Sequence, residues 1–367
     1  MRILHVLPSF GLGGMEKIVC TVINSTSEWY THEILALDRC TDASVWINGK
    51  KLKLIEFEKP EKRGSFFRSL YRALRQIQPD LLMTYNWGAS DAIWLGRAAG
   101  IRRVIHNEHG YNVDEAKATD WKRDAVRFLV YRLAAKLIVV SRELESLLQR
   151  RYLLGAGHVT RIPNGIDSSY YSPDCDERQR TRKILGFADR DIVVGFTGRL
   201  DPIKNLDLLL EIFAHCVQER SDLRLLVVGD GPQRKHLQAL CEKKKLTGRI
   251  VFAGQREDVL PYLRAMDVFL LTSLREQMPM TVLEAMAVGI PAVATKVGDI
   301  PHIIDDGIDG FVLRSDASVD AFVQSLFALL DAARRKTMGA AARRKVVGQF
   351  QQEVMVRQYK TVIEGLH

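Results

Sequence analysis

The sequence predicts an α/β fold of two doubly wound parallel sheets, and three observations carry that prediction. Short apolar runs alternate with longer amphipathic stretches along nearly all of the 367 residues. A turn-rich break, IPNGIDSSYYSPD at 162–174, divides these runs into two sets. The chain is also longer than one core ordinarily serves, while 47% hydrophobic and 26% charged residues give it a globular composition.

Taken in order, the first set of candidate strands is Ile3–Leu7, Glu33–Leu37, Leu52–Phe57, Asp80–Thr84, Arg103–Asn107 and Leu137–Val140. The second set is Val193–Thr197, Leu223–Val228, Ile250–Phe252, Val268–Thr272, Ala292–Thr295 and Gly310–Leu313. Helical periodicity fills the gaps, as at Phe66–Gln76, Leu206–Gln218 and Leu260–Ala265. Apolar strands alternating with helices read as parallel sheets covered on both faces. The domains expected are 1–168 and 169–349, followed by a helical tail at 350–367 that suits packing back on the first. Doubly wound sheets bind ligands at the C-terminal ends of their strands, so a cleft between two facing domains is expected.

The strongest chemical signal follows the strand ending at Thr272. There SLREQMPMTVLEAMAVG, residues 273–289, places Glu276 in a loop and Glu284 inside a helix, with Pro279 expected in its first turn and Gly289 as its cap. A helix N-terminus suits a phosphate. Acids beside it would repel that phosphate, so their task is to grip neutral hydroxyls, such as those of a ribose and a sugar. GRLDPIKN, residues 198–205, follows another strand, and its cations Arg199 and Lys204 fit a diphosphate clamp that also stabilises a departing anion. Gly229-Asp-Gly231-Pro232 supplies a tight turn, Gly254-Gln-Arg256 fits the border of a base, and Gly298-Asp-Ile-Pro301 repeats the turn chemistry. In the first half, Gly11-Leu-Gly13-Gly14-Met-Glu16 lacks the spacing of a dinucleotide fingerprint, which disfavours a nicotinamide enzyme. It reads as backbone lining the cleft or as an ordinary strand-to-helix turn. His106-Asn-Glu108-His109-Gly110 ends a strand of the same sheet and makes His109 a candidate.

Composition narrows the rest. Five scattered cysteines form no metal or redox pair, and no run approaches a spanning helix. The apolar run at the N-terminus is shorter than a signal peptide requires, so a cytoplasmic location is expected. Residues 1–170 hold 25 Lys/Arg against 18 Asp/Glu, leaving +2 of the total +9 for the remainder. A basic first half fits an anionic partner or a solubilising surface. KPEKRGSFFRSLYRALR, from Lys59 to Arg75, interleaves arginines with Phe66, Phe67, Leu70, Tyr71 and Leu74. Its stripe either packs on the sheet, the preferred reading, or rests on the inner face of an anionic membrane.

With these motifs the chain resembles the family 4 retaining glycosyltransferases of the GT-B fold, which have two facing Rossmann-like domains. The resemblance covers nearly the whole chain. It is most specific over 193–313, which holds GRLDPIKN, VVGDGP, the E-x7-E spacing of Glu276 and Glu284, EAMAVGIPAVAT and DGIDGFVL; PNGID at 163–167 adds to it. It implies a retaining transfer of a sugar from a UDP- or GDP-linked donor to a saccharide or lipid-linked acceptor in polysaccharide assembly. Arg199 and Lys204 would bind the diphosphate, Glu284 the ribose and Glu276 the sugar. Gly198, Gly229, Gly254, Arg256, Gln277, Met278, Pro279, Met280 and Thr281 would complete the donor site. Gly13, Gly14 and His109 would border the acceptor and the reacting carbon. Neither a metal nor a tightly bound cofactor is implied. Gln277 and Met278 replace the usual Gly and Phe, and Gly298-Asp-Ile-Pro-His302 replaces G-G-x-P-E, so donor identity transfers least. The alternatives are a sugar-nucleotide 2-epimerase, which needs no acceptor, and a basic nucleic-acid-binding protein, which predicts a Lys/Arg track with stacking aromatics.

Overall fold

The computed structural model describes residues 1–48, 52–110 and 121–366. Contacts divide the chain into two units, Met1–Gly165 with Gln352–His367, and Ile166–Gln351.

The first unit holds β1 (Arg2–Leu7), α1 (Gly14–Thr26), β2 (Thr31–Ala36), β3 (Leu52–Ile55), α2 (Arg63–Ile77), β4 (Leu81–Tyr85), α3 (Asp91–Ala98), β5 (Val104–Glu108), α4 (Trp121–Val130), β6 (Lys136–Val139), α5 (Arg142–Arg151) and β7 (Val159–Arg161). Its strands are parallel in the order β3-β2-β1-β4-β5-β6-β7. β1 and β4 are buried on both faces, as parallel strands between helix layers must be. Every strand expected here forms within two residues of its predicted ends, and β7 is an addition at the sheet edge. On α2 the residues Phe66, Leu70 and Leu74, spaced four apart, are buried, while Arg63, Arg68, Arg72 and Arg75 are exposed. Each buried side chain contributes about 1.5–3 kcal/mol, so the apolar stripe of Lys59–Arg75 serves the core.

The second unit holds α6 (Cys175–Ile184), β8 (Ile192–Thr197), α7 (Leu206–Glu219), β9 (Leu223–Val228), α8 (Arg234–Lys243), β10 (Ile250–Gly254), α9 (Leu260–Ala265), β11 (Val268–Leu271), α10 (Met280–Val288), β12 (Ala292–Thr295), α11 (Ile300–Ile303), β13 (Gly310–Leu313), α12 (Val319–Ala328) and α13 (Ala332–Gln349). Its strand order is β10-β9-β8-β11-β12-β13. One helix layer contains α7 against α8 and α12; the other contains α9 against α6 and α10, with α13 on α10. The last helix, α14 (Gln352–Glu364), belongs to the first unit. It lies on α1 through Met355, Tyr359 and Ile363, again at four-residue spacing.

Candidate active site

A doubly wound sheet binds ligands where its strand order reverses. In the second unit that point lies between β8 and β11, and the loops that follow these two strands are tied together. Thr272 Oγ1 donates to the carbonyls of Lys204 (3.1 Å) and Asn205 (3.0 Å), and Leu274 N donates to Ile203 O at 2.8 Å. Asp201 caps the single turn Pro202–Lys204 through Ile203 N, and Asn205 turns into the left-handed region before α7 begins. Lys204 Nζ is thereby delivered to Glu276 Oε1 at 2.6 Å, where Ser273 Oγ also donates at 2.7 Å. The lysine side chain is 21% exposed and the glutamate 10%, so the pair is partly withdrawn from solvent.

Two glycines make the surrounding turns possible. Gly229 has φ +134°, and a Cβ there would lie 1.9 Å from the Gly198 carbonyl oxygen. Gly298 has φ +54°, and its Cβ would lie 2.2 Å from Glu276 O. Gly229 N donates to Gly254 O at 2.8 Å and Gly198 N to Val228 O at 3.0 Å, so these turns lie side by side along the sheet edge. Asp299 N donates to Gln277 O at 2.8 Å, which fixes the segment leading to α10.

Gln277, Met278, Pro279 and Met280 are buried, and Thr281 is half-buried. Pro279, with φ −70° and ψ 118°, is the residue before α10; its extended ψ keeps it out of the first turn, where the sequence placed it. Pro279 itself provides no side-chain cap at that end of the helix, and Gly289 closes the other end with φ +86°. Glu284 is a buried acid within a helix otherwise buried and apolar from Val282 to Val288, and its Oε1 accepts from the Tyr171 hydroxyl at 3.1 Å. Burial and the adjacent Glu284 charge push the Tyr171 hydroxyl well above its ordinary pKa. Two predicted cations stand apart. Arg199 is 74% exposed and 3.8 Å from Asp201, and exposed Arg256 lies over the Tyr262 ring at 5.3 Å.

In the first unit the order reverses between β1 and β4. Gly13 precedes α1 in an extended conformation, Gly14 begins the helix, and Met15 follows. Glu16, in that first turn, is raised to about 7 by burial and by Asp38, against the pull of its own backbone N–H. Asn86, just past β4, has φ 52° and ψ 172°, a combination that side-chain-bearing residues avoid. Its Oδ1 accepts from His109 N at 2.7 Å and its Nδ2 donates to Met15 Sδ at 3.2 Å, tying the end of β5 to the start of α1. Burial lowers the His109 imidazole to about 4, partly opposed by Glu108, and His109 Nε2 is buried without a hydrogen-bond partner among the described residues. Beneath lies a neutral chain. Thr26 Oγ1 gives its proton to Val22 O, so it accepts from His32 Nε2; His32 Nδ1 accepts from His5 Nε2, and His5 Nδ1 from the Tyr85 hydroxyl. The Tyr85 ring lies 6.2 Å from that of His109.

Two family profiles match this sequence: Glycosyltransferase Family 4 over residues 12–170, and Glycosyl transferases group 1 over residues 177–345. A GDP-mannose-dependent alpha-(1-6)-phosphatidylinositol monomannoside mannosyltransferase of Mycolicibacterium smegmatis is 31% identical over 281 residues, covering 74% of this chain and 72% of the relative. The chain belongs to glycosyltransferase family 4.

An Escherichia coli relative of this family 4 enzyme, UDP-Gal:alpha-D-GlcNAc-diphosphoundecaprenol alpha-1,3-galactosyltransferase, is 29% identical over 72% of this chain and 69% of its own. Anabaena HepE, solved with UDP and glucose, superposes with a TM-score of 0.86 at 20% identity over 100% of both chains, which shows the GT-B fold of this glycosyltransferase. Nothing in these comparisons supports the epimerase or nucleic-acid alternatives. Among its described residues no group of three or more His, Cys, Asp or Glu is placed to hold a metal ion.

Within the glycosyltransferase, the structure joins Lys204 to Glu276 and aligns Gly198, Gly229 and Gly254, while Glu284 pairs with Tyr171. Sequence reasoning passed over Ser273, Tyr171 and Asn86 as site residues. Ser273-x-x-Glu276 has a capping-box spacing that would have signalled the first. Tyr171 lies in a turn-rich segment without periodicity, and nothing in residue type marks the backbone of Asn86.

Proposed function

We propose that this enzyme transfers a hexose-type sugar from a UDP- or GDP-linked donor to a saccharide or lipid-linked acceptor, with retained anomeric configuration, in surface polysaccharide or glycoconjugate assembly. The observation that carries the proposal is the Lys204–Glu276 pair at the second unit's switch point, which joins the loop before α7 to the loop that leads into α10. When the bond from the anomeric carbon to the diphosphate breaks and the acceptor oxygen takes its place, negative charge collects on the departing group, whose phosphate oxygen takes up the acceptor hydroxyl's proton. Lys204 and the N-terminal N–H groups of α10 are suited to receive that charge. Arg199, held only loosely by Asp201, adds a second cation. Glu276 then turns to the sugar hydroxyls and Glu284 to the ribose. On the acceptor side, Gly13 and Gly14 supply close backbone, and the neutral His109 offers Nε2 to a hydroxyl near the reacting carbon.

The two relatives support the substrate classes. Their names pair UDP-Gal with a diphosphoundecaprenol-linked sugar, and GDP-mannose with a phosphatidylinositol monomannoside. Both therefore use a nucleoside diphosphate hexose and a lipid-linked saccharide. No helix among the described residues is long and apolar enough to cross a membrane. A peripheral position at the cytoplasmic face, aided by the cationic face of α2, fits such acceptors.

Thermal shifts with UDP- and GDP-hexoses select the donor, and lipid-linked saccharides then test the transfer, which is expected to persist in EDTA. Glu284→Ala is expected to weaken donor binding about 10-fold or more whatever the sugar. Glu276→Ala should weaken it to a degree that changes with the sugar. Undiminished calorimetric affinity in both variants would sink the carboxylate roles.

A further inference from the structure

The helix α4 is inside out. Its charged residues Arg127 and Asp124 face inward: Arg127 is 3% exposed and lies over the Trp87 ring at 4.8 Å, and Asp124 accepts from the Tyr152 hydroxyl at 2.8 Å. Apart from buried Val130, its large apolar residues face solvent instead. Trp121 is 72% exposed, Leu129 66%, and Val126 and Phe128 are exposed beside them. The short turn that follows adds exposed Leu133 and Arg132. Arg132 stacks on Phe128 at 3.6 Å and donates to the Tyr152 carbonyl, which brings exposed Leu153 alongside. A surface helix normally does the reverse, burying its apolar stripe and hydrating its charges. Contiguous exposed apolar surface of this kind marks a docking site.

The charges on that face identify the occupant. The exposed residues from 121 to 133 include the cations Lys122 and Arg132 and no acid. At 13 residues the segment is too short to span a bilayer. Apolar side chains with a tryptophan at one end and interspersed cations fit a helix lying in the headgroup region of an anionic bilayer. A second copy fits worse, because a two-fold interface would bring the exposed cations of one copy against those of the other with no exposed acid of this face between them. On the other flank of α3, the exposed face of α2 is cationic without an apolar stripe, so it attracts such a surface but cannot insert.

We propose that α4 and the turn after it are the membrane-inserting face of this glycosyltransferase, and that anionic lipid is its partner. This deepens the peripheral position described above by adding an apolar contact, at α4, to the cationic face of α2. It does not depend on the donor chemistry, so vesicle binding and sugar transfer fail independently.

The test is co-sedimentation of the full chain with vesicles of phosphatidylglycerol and phosphatidylcholine, compared with phosphatidylcholine alone. Wild type should bind the anionic vesicles, and the double variant Trp121→Ser/Leu129→Ser should bind about 10-fold or more weakly. Its thermal midpoint and its turnover on a soluble acceptor should stay unchanged. As a second readout, brominated lipid should quench wild-type fluorescence more than that of Trp121→Phe, which keeps the apolar surface. Wild type that ignores anionic vesicles, or a double variant that binds them equally well, overturns the proposal. So does a wild-type dimer that the double variant converts to monomer.

Discussion

At the β8/β11 switch point a lysine and a glutamate meet at 2.6 Å, whereas at β1/β4 the groups nearest the corresponding crevice are an imidazole lowered to about 4, an amide and a glycine-rich turn. The two sheets share a winding scheme, and their strand-end loops carry opposite chemistry. Charge is concentrated where a diphosphate would leave. Where a neutral hydroxyl would arrive, the first unit keeps His109 uncharged. The difference teaches that a doubly wound sheet supplies the place for a ligand, and loop residues supply the reaction.

The largest effect should come from removing charge at the second switch point. Lys204→Ala is expected to lower kcat/KM about 10²–10³-fold, the usual cost of losing one preorganised donor to a developing anion. Lys204→Arg should recover little, because the Ser273–Glu276 contact is built around a compact ammonium. Steady-state kinetics with a saturating acceptor measures this. An equal loss in His109→Gln and a small one in Lys204→Ala would reverse the division of labour between the units.

Much of this was legible in the sequence, because strands buried on both faces read as uninterrupted apolar runs and the site loops follow them directly. The edge strand β7 escaped because Val-Thr-Arg is too short and polar to stand out, pairing only with β6. Lys204 and Glu276 were legible as separate charges, but their contact depends on Thr272 stitching two loops 68 residues apart. Arg199 looked equivalent to Lys204 in sequence and differs because its side chain leaves the turn for solvent. The outward apolar face of α4 was missed because periodicity reports which residues share a face and not which way that face points.

Acid should separate the units by a smaller but still large effect. His32 is held at about 4 by burial, and burial with the neighbouring His32 also holds His5 well below its ordinary value. The unfolded chain takes up protons at these positions near pH 6.5, while folded His32 resists until about pH 4 and folded His5 is held low in the same sense. Their contribution is therefore complete above pH 6.5 and lost progressively as pH falls through that window, about 3 kcal/mol for His32 alone. In the second unit the histidines His215, His236 and His302 are exposed, so that unit buries none. Calorimetry between pH 7 and 4 should show the first unit's transition falling and the second's nearly constant, with His32→Gln flattening the first. A first transition indifferent to pH over this range would remove the neutral-histidine account.

The smallest effect is the most discriminating, because stability and activity should move in opposite directions. Asn86 holds an unfavourable backbone conformation while its side chain joins His109 N to Met15 Sδ. Asn86→Gly relieves a strain of up to about 3 kcal/mol, against about 0.5–1 kcal/mol in unfolded-chain entropy and about 1 kcal/mol for the hydrogen bond that His109 N loses, so a net gain of about 1 kcal/mol is expected. The same change unties His109 from the α1 turn, and turnover should fall about 10-fold, as small misplacements of a catalytic group do. Asn86→Asp keeps the acceptor for His109 N and should retain more turnover than the glycine variant without the gain in stability. A thermal midpoint that rises while kcat falls identifies Asn86 as a positioning residue. A midpoint that falls with kcat would make it an ordinary structural asparagine, and the acceptor-side loops would then owe their arrangement to packing alone.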